Sequence, residues 1–332
     1  MSAAATRNPA VLELAARHRL RWWEALPWLA GIAAFFAFPN YLAFGSQLLI
    51  MILFALSLDL VLGYAGIVTL GHAAFFGAGA YTVGMLAQHA GWTEPISGLA
   101  AAALVAGAIG LASGLVVLRT HGLTLLMLTL CTMALLEEAA NMASHYTGGF
   151  DGMPGLKFAP LLGSFAFDPL YFRSQYVYTL AVLFACFVLV RVLVYSPFGQ
   201  SLTGIRENLL RMHAVGAPVR ARLVIAYGVS AALAGVAGGL FTQTNAFVNL
   251  SALGLERAAG VMIVLILGGY GRLYGAFVGA LVYLLLEHTL AKAYPTAWQI
   301  GVGLMLIAVA LYARNGIIGI GDALLRRKGG AQ

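Results

Sequence analysis

Charge is scarce in this chain. Only 9% of its 332 residues are Asp, Glu, Lys or Arg, against about 25% in an ordinary soluble domain. Together with 61% hydrophobic residues, this excludes a soluble globular fold. Cysteine is nearly absent too. Cys131 and Cys186 both sit inside apolar runs, which excludes a disulfide framework or a thiolate zinc site and leaves them as small apolar packers. There is no Gly-x-x-x-x-Gly-Lys-Ser/Thr loop, so the chain does not hydrolyse nucleotide by that mechanism. Nor is there a metal motif or a nucleophile elbow in a suitable context. Ionisable groups within the apolar runs are few: Asp59, Glu137, Glu138 and Glu287, with His72, His121 and His288 nearby. A proton- or sodium-coupled carrier relies on more of them.

What the chain has is apolar length. Runs recur at 26–44, 47–62, 67–88, 96–118, 122–143, 177–194, 223–247, 258–267, 273–290 and 298–313. Most approach the ~20 residues a helix needs to cross a ~30 Å hydrocarbon core. The expected fold is therefore an all-α polytopic membrane protein of about ten transmembrane or re-entrant helices, with the short run 258–267 the re-entrant candidate. The first run follows about 25 residues and precedes no small-residue cleavage site, so it reads as a retained span. Residues 1–25 form a cytoplasmic or interfacial segment whose Arg7, Arg17, Arg19, Arg21, Trp22 and Trp23 anchor the leaflet. The transmembrane core covers 26–313, and 314–332 is a basic tail.

The formal charge of +7 is not spread evenly. With ten crossings and a cytoplasmic N-terminus, fifteen of the nineteen basic residues fall inside; only Lys157, Arg173, Arg257 and Lys292 fall outside. That is the positive-inside pattern, and it places both termini in the cytoplasm. It also puts a polar, basic island, residues 196–222, on the cytoplasmic side, where its Pro-Gly start, helical middle and Gly-Ala-Pro end describe a compact lever.

Forty glycines exceed what loops require. Two clusters are alike: Leu62-Gly63-Tyr64-Ala65-Gly66 and Leu267-Gly268-Gly269-Tyr270-Gly271 each end an apolar helix in a Gly-x-x-Gly turn, and both fall at the cytoplasmic face. They are the mark of an internal repeat, a common device in transporters. Asp59, a turn before Gly63, either caps loose backbone amides or binds an ion. His72 is either a hydrogen-bonded packing residue or a solute contact. Glu137 and Glu138 lie about 100° apart on a helix and cannot face one path together. Glu287 and His288 belong near the outer end of their span and reach the interface.

These residues resemble a known family. Residues 57–66, SLDLVLGYAG, followed by 70–81, LGHAAFFGAGAY, resemble the signature of permeases from the branched-chain amino acid class of ABC importers. Residues 147–155, TGGFDGMPG, resemble the periplasmic loop of its LivM-type subunit, as distinct from the LivH-type partner. Ser196-Pro197-Phe198-Gly199 with Ile205-Arg206-Glu207-Asn208 and Gly216 resembles the loop that couples to the ATPase, and residues 230–238 the helix that follows. The resemblance covers roughly residues 45–315. The chain departs from it at 121–130 and at 209–213, which weakens any claim for leucine specifically, since related permeases carry urea, short amides and other small polar organics.

The resemblance implies a multi-pass subunit of the bacterial inner membrane, not itself an enzyme. It implies a second permease subunit, two cytoplasmic ATPases that bind ATP and magnesium, and a periplasmic binding protein; no cofactor belongs to this chain and no nucleic acid is involved. The expected ATPase-coupling residues are Gly199, Ser201, Leu202, Gly204, Ile205, Arg206, Glu207, Asn208, Arg211 and Gly216, centred on one short helix around 202–212, with Gly199, Gly204 and Gly216 allowing tight turns and Arg206 and Glu207 pairing with the ATPase. The outer segment 145–176, carrying Asp151, Lys157, Asp168 and Arg173, either meets the binding protein or caps the path. For the path, Thr69, His72, Glu137, Asn141, Gln243 and Asn245 are polar within or beside glycine-rich spans, and so few fixed charges suit a zwitterionic or neutral solute held loosely. The alternatives are a urea or short-amide permease of the same family, a secondary carrier with its site at the broken helices, and a channel for a small neutral solute.

Overall fold

The computed structural model describes residues 22–160, 172–293, 300–301 and 303–304. The expected N-terminal arginines, the basic tail, Asp168 and most of the run 298–313 lie outside the described residues. Of the described residues, those up to Tyr41 form one compact unit and those from Leu42 onward another. In the first, α1 spans Leu26–Ala37, with Pro27 in its first turn. At 12 residues it is about 18 Å long, too short to cross a bilayer. The expected span 26–44 is therefore not one helix: Pro39 removes a donor and restricts the residue before it, the helix ends, and a 3-10 turn follows.

The larger unit is a helical bundle. Its helices are α2 (Leu42–Asp59), α3 (His72–His89), α4 (Pro95–Val117), α5 (Leu123–Met142), α6 (Phe172–Tyr195), α7 (Pro197–Glu207), α8 (Leu209–Ala214), α9 (Val219–Asn245), α10 (Leu255–Gly268) and α11 (Gly275–Ala293). Among the described residues, seven segments are long and apolar enough to cross a membrane: Pro39–Tyr64, Pro95–Val117, Leu123–Met142, Phe172–Tyr195, Val219–Asn245, Leu250–Gly268 and Gly275–Ala293. The short run 258–267 proves to be the end of a 19-residue segment, because a 3-10 turn at Leu250–Ala252 leads into α10. The run 67–88 becomes helical only at His72, behind a stretch without regular structure.

The core is α9. Its 27 residues span about 40 Å and pack on α2, α3 and α4. Polar side chains stitch it to them: Ser230 donates to the Ser57 carbonyl, Thr242 to Ala80 O at 3.0 Å, and Gln243 Nε2 to Pro95 O at 2.8 Å. The backbones themselves nearly touch. A Cβ at Gly238 would land on the Phe76 carbonyl, and one at Gly79 on the backbone of Gly235. Membrane helices lack a hydrophobic force between them and associate through this kind of close packing. At one end of α9, Phe247–Val248 (β2) pairs antiparallel with Met153–Pro154 (β1), closing the glycine-rich segment 147–155 onto the bundle. The polar island lies at the other end, so the molecule has a ribbon end and a loop end.

Replacing Gly238 with Val should destabilise the protein by at least about 1–3 kcal/mol, the range for overpacked cores, because the obstacle is backbone and cannot rotate away. Thermal unfolding in detergent measures it, whereas Gly98→Ala, at a helical position where a Cβ finds its nearest neighbour at an ordinary 3.5 Å, should cost far less.

Candidate functional site

At the loop end the two Gly-x-x-Gly turns meet. α2 widens into a π turn over Leu60–Tyr64, with Ala65 N bonding back to Leu60 O at 3.2 Å. α10 stops at Gly268, and Gly269 and Gly271 take φ of +98° and +76°. Both devices free backbone groups from their helices, and in a membrane such groups must find partners. They find each other's neighbours. Asp59, buried in the last turn of α2, accepts a hydrogen bond from Gly271 N at 2.6 Å. Its reading as a cap on loose amides is thus the geometry observed, with the amide supplied by the other turn.

Arg206 closes this joint from the loop. Its Nη1 donates to the Gly63 carbonyl, and its aliphatic stem lies over Gly66, where a Cβ would come within 2.6 Å of Arg206 Cγ. A Cβ at Gly271 would sit 3.0 Å from Arg206 Nη1 and 3.3 Å from Gly63 O. The side chain expected to pair with a partner ATPase stays exposed and also bonds to its own bundle: glycines make room beside its stem and a freed carbonyl accepts from one nitrogen of its head.

The loop itself is two helices, not one. Ser196 caps α7 by accepting from Gly199 N at 3.3 Å, with Pro197 at the first helical position. Asn208 then breaks the expected continuous helix: its backbone is extended and its Oδ1 accepts from Arg211 N at 2.9 Å, starting α8. Gly199, Ser201, Leu202 and Ile205 are buried on α7, and Gly204 lies against Met212, so these five seat the loop. Glu207 and Arg211 are exposed, and Gly216 ends the loop at φ +80°. No residue of α8 is buried. Leu210 is 80% exposed and Val215 just beyond is 77% exposed.

The six expected path residues do not converge. Thr69 is buried and accepts from Gly71 N at 3.1 Å, shaping the turn before α3. His72 is buried, 2.9 Å from Ser57 Oγ and stacked on Phe54, so it packs. Gln243 holds Pro95, and Asn245 bonds to Phe241 O within α9. Glu137 and Asn141 lie on α5, much of which is open on the surface of this chain.

A cavity of about 360 Å³ lies elsewhere, between the first half of α2 and helices α10 and α11. Its size falls at the small end of the ligand-pocket range of about 300–1,000 Å³. Ile50, Met51 and Leu284 give it an apolar wall, and Glu256, Arg257 and Glu287 bring charge to it. The Arg257 guanidinium stacks on Phe76 and Phe241, 5.4 and 4.8 Å from their ring centroids. Sequence reasoning counted Arg257 as an external orienting charge and sent Glu287 to the interface. The clue is that Arg257 lies in the first turn of an apolar helix, three residues before the buried Gly260.

Seven membrane-capable helices, a solute-sized cavity carrying charge and an exposed helical loop define a polytopic membrane transport protein. Among the described residues no three His, Cys, Asp or Glu come together to hold a metal. Residues 40–311 match the family described as "Branched-chain amino acid transport system / permease component", and the chain belongs to that family. It is a multi-pass permease component of the inner membrane, and its resemblance to LivM-type subunits holds. It is 27% identical over 308 residues to the high-affinity branched-chain amino acid transport system permease protein LivM of Escherichia coli K12, covering 85% of this chain and 71% of that one. The LivM of Salmonella typhimurium LT2 matches to the same extent. The autoinducer 2 import system permease protein LsrC of Enterobacter sp. strain 638 is 30% identical over 234 residues, 68% of this chain and 64% of that one. No solved structure matches the chain.

Gly271→Ala should lower stability by about 1 kcal/mol or more, since a left-handed position strains any side chain. Arg206→Ala should lower it as well, and the double variant should lose less than the sum, as residues sharing one network do. Denaturation of the three variants in detergent gives the cycle.

Proposed function

We propose that the chain is the membrane-spanning permease subunit of an ATP-driven importer. It moves branched-chain amino acids or a related small polar organic solute delivered by a periplasmic binding protein. Beside it stand a LivH-type permease subunit and two cytoplasmic ATPases, which bind the ATP and magnesium. The observation that carries this reading is α8: a short helix with no buried residue, bearing Leu210 and Val215 outward, at the tip of a loop whose root is locked into the bundle. An apolar tip on a rigid root is a docking element. The chain lacks a phosphate loop of its own, so energy reaches it through such contacts.

Placing the loop end in the cytoplasm agrees with Arg119, Arg206, Arg211, Arg220, Arg222 and Arg272, which all fall there. Closure of the ATPases then moves α8, and α7 carries the motion as a rigid body. Arg206 passes it to the joint of α2 and α10, and these same helices wall the cavity. Two discrete arrangements of the joint suffice. A secondary carrier with its site at the broken helices is disfavoured, because the breaks are filled by Asp59 and Arg206.

Two substitutions separate docking from transmission. Leu210→Asp should abolish co-purification of the ATPase and solute uptake while leaving the chain folded. Arg206→Gln should retain the ATPase but lower the solute moved per ATP hydrolysed in proteoliposomes by about ten-fold, as loss of a charge-assisted hydrogen bond of roughly 1.5–3 kcal/mol allows. Uptake that survives ATP depletion would refute the importer.

A further inference from the structure

The charges in the cavity are arranged for something that is neither of them. Arg257 is held by two aromatic rings, and its guanidinium makes no hydrogen bond or ion pair among the described residues. Glu287 faces the same space from α11, and its carboxylate likewise has no hydrogen bond or ion pair among the described residues. The two feel each other's field without touching. Glu256 lines the cavity as well but is engaged by a neighbour.

Unmet charges inside a bundle are costly, and intramembrane ions normally pair. Here the rings hold the guanidinium by cation–π attraction while its N–H donors stay uncommitted. What fits between a fixed cation and a separate anion is a molecule carrying one charge of each sign. We propose that this cavity is a binding stop for a zwitterionic α-amino acid, with Arg257 taking the carboxylate, Glu287 the ammonium, and the Ile50, Met51 and Leu284 wall the side chain. The inference rests on the permease reading and narrows it. A neutral amide or urea of similar size leaves both charges unmet, and a site built to bond a charged group rejects the analogue lacking it. A bidentate guanidinium also fixes which end of the solute enters where.

The test uses the full chain in nanodiscs with Cys131→Ala, Cys186→Ala and Gln47→Cys, Gln47 being a cavity-lining position. Maleimide labelling at position 47 is followed against L-leucine, L-leucinamide, N-acetyl-L-leucine and urea. L-leucine should slow labelling. Removing either charge from the probe should raise the concentration needed by about ten-fold or more, the loss expected for one charge-assisted contact. In Glu287→Gln, L-leucine and N-acetyl-L-leucine should become equivalent. Arg257→Gln should remove protection by all probes, and Arg257→Lys should restore part of it. Unliganded labelling equal to the parent's shows that each variant is folded. Protection by urea or L-leucinamide as strong as by L-leucine, or protection unaltered in both Arg257→Gln and Glu287→Gln, overturns the proposal. The assay contains no ATPase, so a chain that binds L-leucine here yet never recruits an ATPase refutes the importer and leaves the binding site standing.

Discussion

The fold depends on how two interrupted helices satisfy their freed backbone in a solvent that offers no hydrogen bonds. Water would cap such groups elsewhere; hydrocarbon cannot. The chain answers with one carboxylate and one guanidinium: Asp59 of α2 reaches across to hold the Gly271 amide of the other turn, and Arg206 of the loop holds the Gly63 carbonyl. The exchange binds segments more than 140 residues apart in sequence into one joint. Glycine at 66 and 271 is required twice over, for its left-handed backbone and for the room it leaves the arginine.

Around that joint the bundle uses two packing regimes. Where α9 meets α3 and α4, small residues bring backbones to contact and hydroxyls bridge the seams. Where α2 meets α10 and α11, larger side chains hold the helices apart and a cavity remains. A rigid spine beside a looser, charged compartment is what a protein needs if one part must stay fixed while another rearranges. The looser helices are the ones that end at the joint.

Much of this was legible in the sequence because its signals are local. Apolar length gave most spans, and Pro95, Pro197 and Ser196 marked helix starts. The paired Gly-x-x-Gly turns were visible as text. Their contact was not, since nothing in a pattern says which distant carbonyl an arginine will choose. Arg206 read as outward because basic loop residues usually face water; it is exposed, and what the pattern did not announce is its bond to the Gly63 carbonyl through the glycine slot. The cavity was illegible for the same reason. Its wall comes from α2, α3, α9, α10 and α11, and single positions such as Phe76, Phe241 and Arg257 acquire meaning only when brought together. Thr69, His72 and Gln243 were polar residues in the right spans, but polarity there serves turns and seams.

The break at Asn208 has a consequence for how such a protein can change over time. A helix of six residues has no stability of its own; α8 exists because Asn208 caps it and α7 presents it. No residue of α8 is buried, so its letters can be rewritten without disturbing the membrane core. The side chains that stabilise the bundle and those that meet another protein are thereby separated by a single residue. That separation lets the tip drift in step with whatever surface it must match, like the bitting of a key cut on an unchanging blank.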